Sequence, residues 1–416
     1  MQICTKVRMG IVVLIFLVAV IEGLTLWGLK KMSNSSSKAV SRIGWVAYAV
    51  WTLLIFGLIG FALIKSGSLM EPGWQNTTFT MVGFWLANFL AKGVFVFFFL
   101  LDELTAFFSR RFKKKNTVST EGRRRFISTT GLALASIPFG GFLYGMVRGR
   151  YQFKIWKQEL ALKNLPDSFI GKTFVQLSDL HLGSFPTGTN AIAKAIEQIN
   201  ALEPDYIFFT GDMINERAVE AEPWVDTLKE LKAKFGKYSV LGNHDYGDYY
   251  EPWAGKPEKL EANIQRLNEL QKQMGFQLLR NENVSLTQNG EQIKLIGLEN
   301  WGIGFTQAGD LKKATQGVED DEVQILLSHD PTHWEEKVLG KAPIDISLAG
   351  HTHGSQIGIE TPAFRWSPVK YRYPRWAGMY EEGDHKLYIN RGFGYLGYAG
   401  RIGIWPEITL FTLAKG

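Results

Sequence analysis

The sequence predicts a helical membrane unit followed by an α/β domain. Three observations carry this. Long apolar runs with basic flanks are confined to roughly the first third of the 416 residues. From Tyr151 onward, short apolar strands alternate with amphipathic helices, the pattern of an α/β domain. Five of those strands are followed by a carboxylate, an amide or an imidazole. The length allows two or three folded units.

The membrane unit comes first. Ile11–Leu29 is apolar except for Glu22, Gly44–Ile64 has no charge, and Phe79–Leu101 carries only Lys92. Each is long enough to cross a hydrocarbon core of ~30 Å. A fourth run, Gly131–Val147, contains Pro138 and becomes a plausible span when the residues from Phe126 are added. The expected division is a four-span unit over 1–150, with spans near 11–29, 44–64, 79–101 and 127–147, and a globular domain over 151–416. Glu22 and Lys92 read as a helix-packing pair or snorkelling side chains ahead of a transport path.

Loop charge orients the spans. Lys30, Lys31, Lys38 and Arg42 lie in one connection; Arg110, Arg111, Lys113–Lys115 and Arg123–Arg125 lie in another. The loop between them, Ser66–Thr78, has Glu71 and no Lys or Arg. The positive-inside rule places the basic loops in the cytoplasm, the Glu71 loop outside, and the globular domain outside. Arg123-Arg124-Arg125-Phe126-Ile127-Ser128 resembles a twin-arginine export signal; as a plain cytoplasmic anchor it gives the same topology. The net charge of +6 sits in these clusters, so it marks membrane topology and no nucleic-acid partner is expected. The only cysteine, Cys4, excludes an intramolecular disulfide and a thiolate zinc site.

In the globular domain, strands are expected at Thr173–Leu177, Tyr206–Thr210, Tyr238–Leu241, Ile293–Leu298, Val323–Ser328, Ile346–Ala349, Leu387–Asn390 and Ile408–Leu413. Helices are expected at Ala191–Leu202 and Leu260–Met274. The polar residues after the strands are Ser178-Asp179-Leu180-His181, Gly211-Asp212, Gly242-Asn243-His244-Asp245, Ser328-His329-Asp330 and Gly350-His351-Thr352-His353. In open α/β sheets the crevice at the carboxyl ends of strands is where sites form, so these side chains can converge. Any one motif alone is an ordinary turn or cap; five in order at successive strand ends are not. Carboxylate, amide oxygen and imidazole suit a divalent metal such as manganese, iron or zinc, and the number of ligands suits two ions. His333 and His385 lie outside the pattern.

These same residues resemble the signature of the calcineurin-like metallophosphoesterase superfamily, over about Phe169 to the end of the sequence. Tyr388-Ile389-Asn390-Arg391-Gly392 and Pro406-Glu407-Ile408-Thr409-Leu410 resemble the closing strands of its bacterial membrane-anchored branch. Ser355 stands where that branch usually has a second glycine. The resemblance implies a double β-sheet sandwich flanked by helices. It implies that Asp179, His181, Asp212 and His353 hold one metal and Asp212, Asn243, His329 and His351 a second, with Asp212 bridging. It implies a phosphoesterase located in a bacterial inner membrane.

Two such metals, with manganese favoured, would share a hydroxide nucleophile and stabilise charge developing on phosphoryl oxygens. His244, and Asn243 beside it, are expected at the substrate, His244 orienting the phosphate or protonating the leaving oxygen. Arg391 and Arg401 either offer planar donors to a phosphate or are sheet-edge arginines. The stretch Phe364–Tyr380 mixes basic and aromatic residues, as either a bilayer interface or an ordinary surface loop does. The interfacial reading gives a phospholipid, a lipid-linked pyrophosphate or an envelope precursor as substrate. A cytoplasmic nucleotide-sugar lipid pyrophosphatase, and a transporter or sensor with a regulatory domain, are the alternatives.

Overall fold

The computed structural model describes residues 2–33, 38–65, 71, 73–112 and 120–416. Lys113–Lys115 and the stretch 66–70, used above to orient the spans, lie outside them. The chain folds as two compact units, Met1–Leu69 with Thr80–Met146, and Met70–Phe79 with Val147–Gly416. The sequence reading set one boundary at residue 150; the ten residues Met70–Phe79 instead join the second unit.

The first unit is built from α1 (Gln2–Ser33), α2 (Lys38–Ile64), α3 (Gln75–Phe112, its first turn excepted) and α4 (Thr120–Val147). Among the described residues, Ser41–Leu58, Gln75–Phe108 and Gly122–Tyr151 are long and apolar enough to cross a membrane. The expected span 11–29 falls within α1, and its side chains before Phe16 lie outside the described set. Charges inside this unit meet counter-charges. Lys92 Nζ lies 2.6 Å from Glu22 Oε2 and 4.9 Å from the Tyr48 ring centroid, a packing pair between α1 and α3. Buried Asp102 is paired with Arg123 Nε at 3.2 Å and Arg124 Nε at 3.5 Å.

The second unit contains fourteen strands in chain order: β1 (Lys154–Leu162), β2 (Thr173–Leu177), β3 (Tyr206–Phe209), β4 (Gly236–Ser239), β5 (Phe276–Leu278), β6 (Glu282–Gln288), β7 (Glu291–Gly297), β8 (Gln324–Leu327), β9 (Ile346–Ala349), β10 (Ile359–Glu360), β11 (Arg365–Trp366), β12 (Gly378–Glu382), β13 (His385–Ile389) and β14 (Glu407–Lys415). One six-stranded sheet runs β1-β14-β2-β3-β4-β5 and the other β12-β13-β9-β8-β7-β6; β10 and β11 form a small separate ribbon. β2 to β5 are mutually parallel, as are β7, β8, β9 and β13.

The two-residue period of strands decides which face each side chain takes. Phe174, Phe208 and Phe411 point inward and pack against Leu295, Ile325, Leu327, Leu348 and Tyr388 of the second sheet. Their neighbours Val175, Leu177, Ile207 and Phe209 point outward. There they are covered by α5 (Ala191–Asn200), α6 (Val225–Lys229) and α7 (Pro257–Gln273) through Ile192, Ile196, Leu228, Ile264 and Leu267. On the far side, Ile296, Leu326 and Leu387 pack against Trp334 and Val338. Both sheet faces are thus buried, which is why the central strands read as continuous apolar runs. β1 was not foreseen because its residues alternate exposed Lys154, Lys157 and Glu159 with a few buried ones, and it is an edge strand.

Candidate metal centre

Parallel strands β2, β3 and β4 of one sheet and β8 and β9 of the other release their chains toward one crevice. Asp179 and His181 follow β2, Asp212 follows β3, Asn243 follows β4, His329 follows β8, and His351 and His353 follow β9. Their ligand atoms meet in two groups, Asp179 with His181 and His353, and Asp212 with His329 and His351, each group's atoms lying within 4.8 Å of one another. Asp212 Oδ2 is 3.1 Å from His329 Nε2 and 3.6 Å from His181 Nε2, so one oxygen faces both groups. Asn243 Oδ1 is 3.1 Å from His329 Nε2 and 2.8 Å from His351 Nδ1. His181 Nε2 and His353 Nε2 approach to 3.0 Å.

The backbone is bent to achieve this. Asp179, His181, Asp212, His351 and His353 all have φ between 48° and 71°. This left-handed region costs a non-glycine residue of order 1–3 kcal/mol and persists at sites where the surroundings overdetermine it. Ser355 continues the run at φ 49°, a conformation that glycine adopts without the cost a Cβ brings. Space is also rationed. A Cβ at Gly350 would overlap Ser178 Oγ and Asp179 Oδ2, and one at Gly242 would overlap Asp212 Oδ1.

The donor set fits cations. His329 Nδ1–H donates to Thr210 O at 2.8 Å, so its Nε2 presents a lone pair to the oxygens of Asp212 and Asn243. His181 Nδ1–H donates to Asn215 Oδ1 at 2.9 Å, turning its Nε2 inward likewise. Lone pairs facing lone pairs require a positive charge between them. Burial by itself would lower the His329 pKa, yet Asp212 and Asp179 raise it to about 10, so that without a metal a proton on Nε2 takes the place between the ring and those oxygens. Burial holds His181 and His351 below the ordinary histidine range, the neutral form that ligates metal. Asp179 is fully buried, which opposes its charge, but His353 and His329 hold it well below the usual carboxylate range.

Several supporting contacts were not legible in the sequence. Asp245 accepts the backbone N–H groups of Asp212, Met213, Ile214 and Gly242 at 2.8–3.2 Å and so ties the β3 and β4 loops together. Tyr373 OH lies 2.9 Å from His351 Nε2, with Asp330 Oδ2 at 3.5 Å, orienting that ring. Tyr249 OH accepts from Asn243 Nδ2 at 2.9 Å. His244 sits beside the two groups: its backbone N–H donates to Asp212 Oδ1 at 2.8 Å and its Nδ1–H to Asn215 O at 2.7 Å. Burial lowers its pKa, so the ring is neutral and Nε2 is unprotonated in this geometry.

The two arginines are placed otherwise than as phosphate donors. Arg391 is buried, with Nη1 2.7 Å from Glu407 Oε2 and Nη2 2.6 Å from Glu360 Oε1, and it stacks on Trp156. Two carboxylates already satisfy its charge. Arg401 is fully buried and donates to the carbonyls of Gly394 and Arg391, with Nη2 3.2 Å from His353 Nδ1. It backs a candidate ligand and has no open donor face. The stretch Phe364–Tyr380 is divided: Tyr373 and Trp376 are buried toward the site, while Phe364 and Tyr371 are exposed.

Residues 172–355 match the family described as calcineurin-like phosphoesterase, and residues 7–150 match that described as "Probable Calcineurin-like phosphoesterase, transmembrane domain". The Bacillus subtilis protein named "Uncharacterized metallophosphoesterase YkuE" is 30% identical over 302 residues, covering 70% of this chain and 97% of that one. The chain belongs to the calcineurin-like metallophosphoesterase family. Like other metallophosphoesterases it is a phosphoester hydrolase, here in a membrane protein, and its convergent ligands call for divalent metal. A "Transmembrane protein with metallophosphoesterase domain" from Danio rerio is 27% identical over 389 residues, 88% of this chain and 80% of that one. The Chlamydia trachomatis protein named "UDP-2,3-diacylglucosamine pyrophosphatase LpxG" is 29% identical over 276 residues, 56% of this chain and 81% of that one.

Proposed function

We infer that the chain is a dinuclear metallophosphoesterase that hydrolyses a phosphate ester or pyrophosphate bond of a lipid or cell-envelope substrate. The observation that carries this is the single Asp212 oxygen facing both groups of ligand atoms. Asp179, His181, Asp212 and His353 would hold one divalent cation; Asp212, Asn243, His329 and His351 would hold the other. Bound there, two such ions supply Lewis-acid charge for the phosphoryl oxygens and acidify water at neutral pH. Manganese suits this set better than magnesium, because imidazole ligands disfavour magnesium.

The chain's own groups do the rest. The His181 and His329 rings are locked by their Nδ1–H bonds so that only Nε2 faces the reaction space. His244 presents Nε2 next to both groups and is placed to orient the phosphate or, once protonated, to give a proton to the leaving oxygen. The exposed Phe364 and Tyr371, beside basic Arg365 and Lys370, support contact with a lipid surface. The loop charges support an extracytoplasmic catalytic unit in a bacterial inner membrane. A second reading, a nucleotide-sugar lipid pyrophosphatase at the cytoplasmic face, is favoured by the likeness to the Chlamydia pyrophosphatase.

The test uses the full chain in detergent with a chromogenic phosphodiester, and then with fractionated membrane lipids assayed for phosphate release. Chelation should abolish turnover, and manganese should restore it at least as well as magnesium. An active preparation with no metal by elemental analysis would overturn the proposal.

A further inference from the structure

The segment that leads into α3 is part of the wall of the metal centre. Gln75, the first residue of α3, is fully buried and belongs with Met70–Phe79 to the same compact unit as the site. Its Nε2 donates to Glu220 Oε1 at 3.0 Å, and its Oε1 accepts from Asn215 Nδ2 at 2.8 Å. Glu220 is itself buried and accepts the backbone N–H of Asn215 at 2.6 Å. Turning the Gln75 amide over would set its oxygen against the Glu220 carboxylate. The carboxylate therefore fixes the Gln75 amide, and Gln75 in turn fixes the Asn215 amide.

Asn215 is the hinge of the arrangement. Ser184 Oγ lies 3.1 Å from Asn215 Nδ2 and 3.2 Å from Oδ1, but a hydroxyl can donate or accept and so does not choose the amide orientation. Gln75 Oε1, an acceptor only, draws Nδ2 to itself and leaves Oδ1 for His181 Nδ1–H at 2.9 Å. That bond sets the His181 tautomer and aims Nε2 at the other candidate ligands. The Asn215 carbonyl holds His244 Nδ1–H at 2.7 Å. The packing is tight: a Cβ at Gly183, two residues after His181, would overlap both Gln75 Oε1 and Glu220 Oε2. The rest of the segment is anchored independently. Phe79 lies in the main core and its carbonyl accepts Ala399 N–H at 3.0 Å; Asn76 Oδ1 accepts from Arg150 Nη1 at 3.0 Å; Glu71 pairs with Arg217 at 2.5 Å.

We propose that Gln75 is a positioning residue for the metal ligand His181, acting through Asn215, so that the metal centre is complete only with the first turn of α3 in place. This rests on His181 being a metal ligand, as proposed above. Partners of this kind that orient a metal-bound histidine typically matter 10–100-fold in metal affinity.

The experiment measures manganese binding to the full chain in detergent, with the melting temperature of the metal-free protein read alongside. Gln75→Glu keeps an acceptor for Asn215 but sets two carboxyl groups against each other. Gln75→Met keeps the volume and removes the acceptor. Positioning predicts that Gln75→Met weakens one of the two sites by roughly 10–100-fold while Gln75→Glu stays within about threefold of the parent. A packing role predicts the reverse order and overturns the proposal. In an Asn215→Ala background the Gln75→Met effect should vanish; an undiminished effect there also overturns it. If Gln75→Met does not fold, Gln75→Glu against Asn215→Ala decides: positioning requires the first to bind metal and the second to lose affinity. His181→Ala is the separate control: if it keeps both metals, the dinuclear reading fails, whatever Gln75 does.

Discussion

Replacing Arg391 by alanine separates a structural arginine from a substrate-binding one. The guanidinium bonds Glu407 Oε2 at 2.7 Å and both oxygens of Glu360 at 2.6 and 2.9 Å. Glu407 is fully buried; its other oxygen accepts from Tyr388 OH at 2.8 Å and Thr409 Oγ1 at 2.6 Å. Without Arg391 those neutral donors and one backbone N–H remain, and Glu407 loses its direct counter-ion, keeping only the more distant charge of buried Arg401. Removing one partner of a buried pair costs about 3–5 kcal/mol, because an uncompensated charge is left behind. At about 2–4 °C per kcal/mol for a unit of this size, the melting temperature should fall by roughly 6–20 °C. The assay is thermal unfolding of the full chain in detergent, with KM for a phosphodiester measured on the protein that remains folded. Arg391→Met combined with Glu407→Gln should recover part of the loss, since only the partly exposed Glu360 is then left without its partner. An unchanged melting temperature with a KM raised tenfold would refute this reasoning and return Arg391 to the substrate.

Three further predictions address chemistry, charge and topology. His244→Ala should keep both metals and lose turnover by roughly 10²–10⁴-fold, less for a substrate with a good leaving group, whereas Asp212→Ala should lose metal as well. Metal content measured beside turnover decides, and loss of metal from His244→Ala would make His244 a ligand. Glu216 is buried with one oxygen unpartnered, and burial, with Glu220, Asp212 and Asp248 nearby, raises its pKa from 4.5 to about 8. Its contribution to stability is full below about pH 4.5 and is lost as pH rises to about 8, because the unfolded chain releases the proton first. Metal-free Glu216→Gln should therefore gain on the parent between pH 5 and pH 8 in thermal unfolding; a pH-independent difference would contradict the assignment. Finally, a reporter active only in the cytoplasm, fused after Gly416, should be silent, and activity there would favour the cytoplasmic nucleotide-sugar reading.

What the sequence determined by itself is what is local. Each candidate metal ligand follows an apolar strand by a few residues, and strand ends in parallel sheets point to one crevice, so seven candidate ligands were readable from five short motifs. The strands bearing them were readable because both faces are buried and the apolar runs are continuous. Among the described residues, three helices that overlap expected spans have the length and apolarity to cross a membrane. Tertiary structure decided what depends on partners distant in sequence. Arg391 read equally as a phosphate donor or a sheet-edge arginine, and only the fold shows Glu360 and Glu407 pairing with its charge. Asp245 read as part of a motif, yet its oxygens hold the backbone of the preceding loop some thirty residues earlier. Gln75 stands at the head of an apolar helix, and no local pattern marks it. It acquires its place only because Asn215, 140 residues later, needs its amide turned one way and Glu220 turns it. Hydrogen-bond complementarity between buried polar groups is set by three-dimensional proximity, and periodicity carries no record of it.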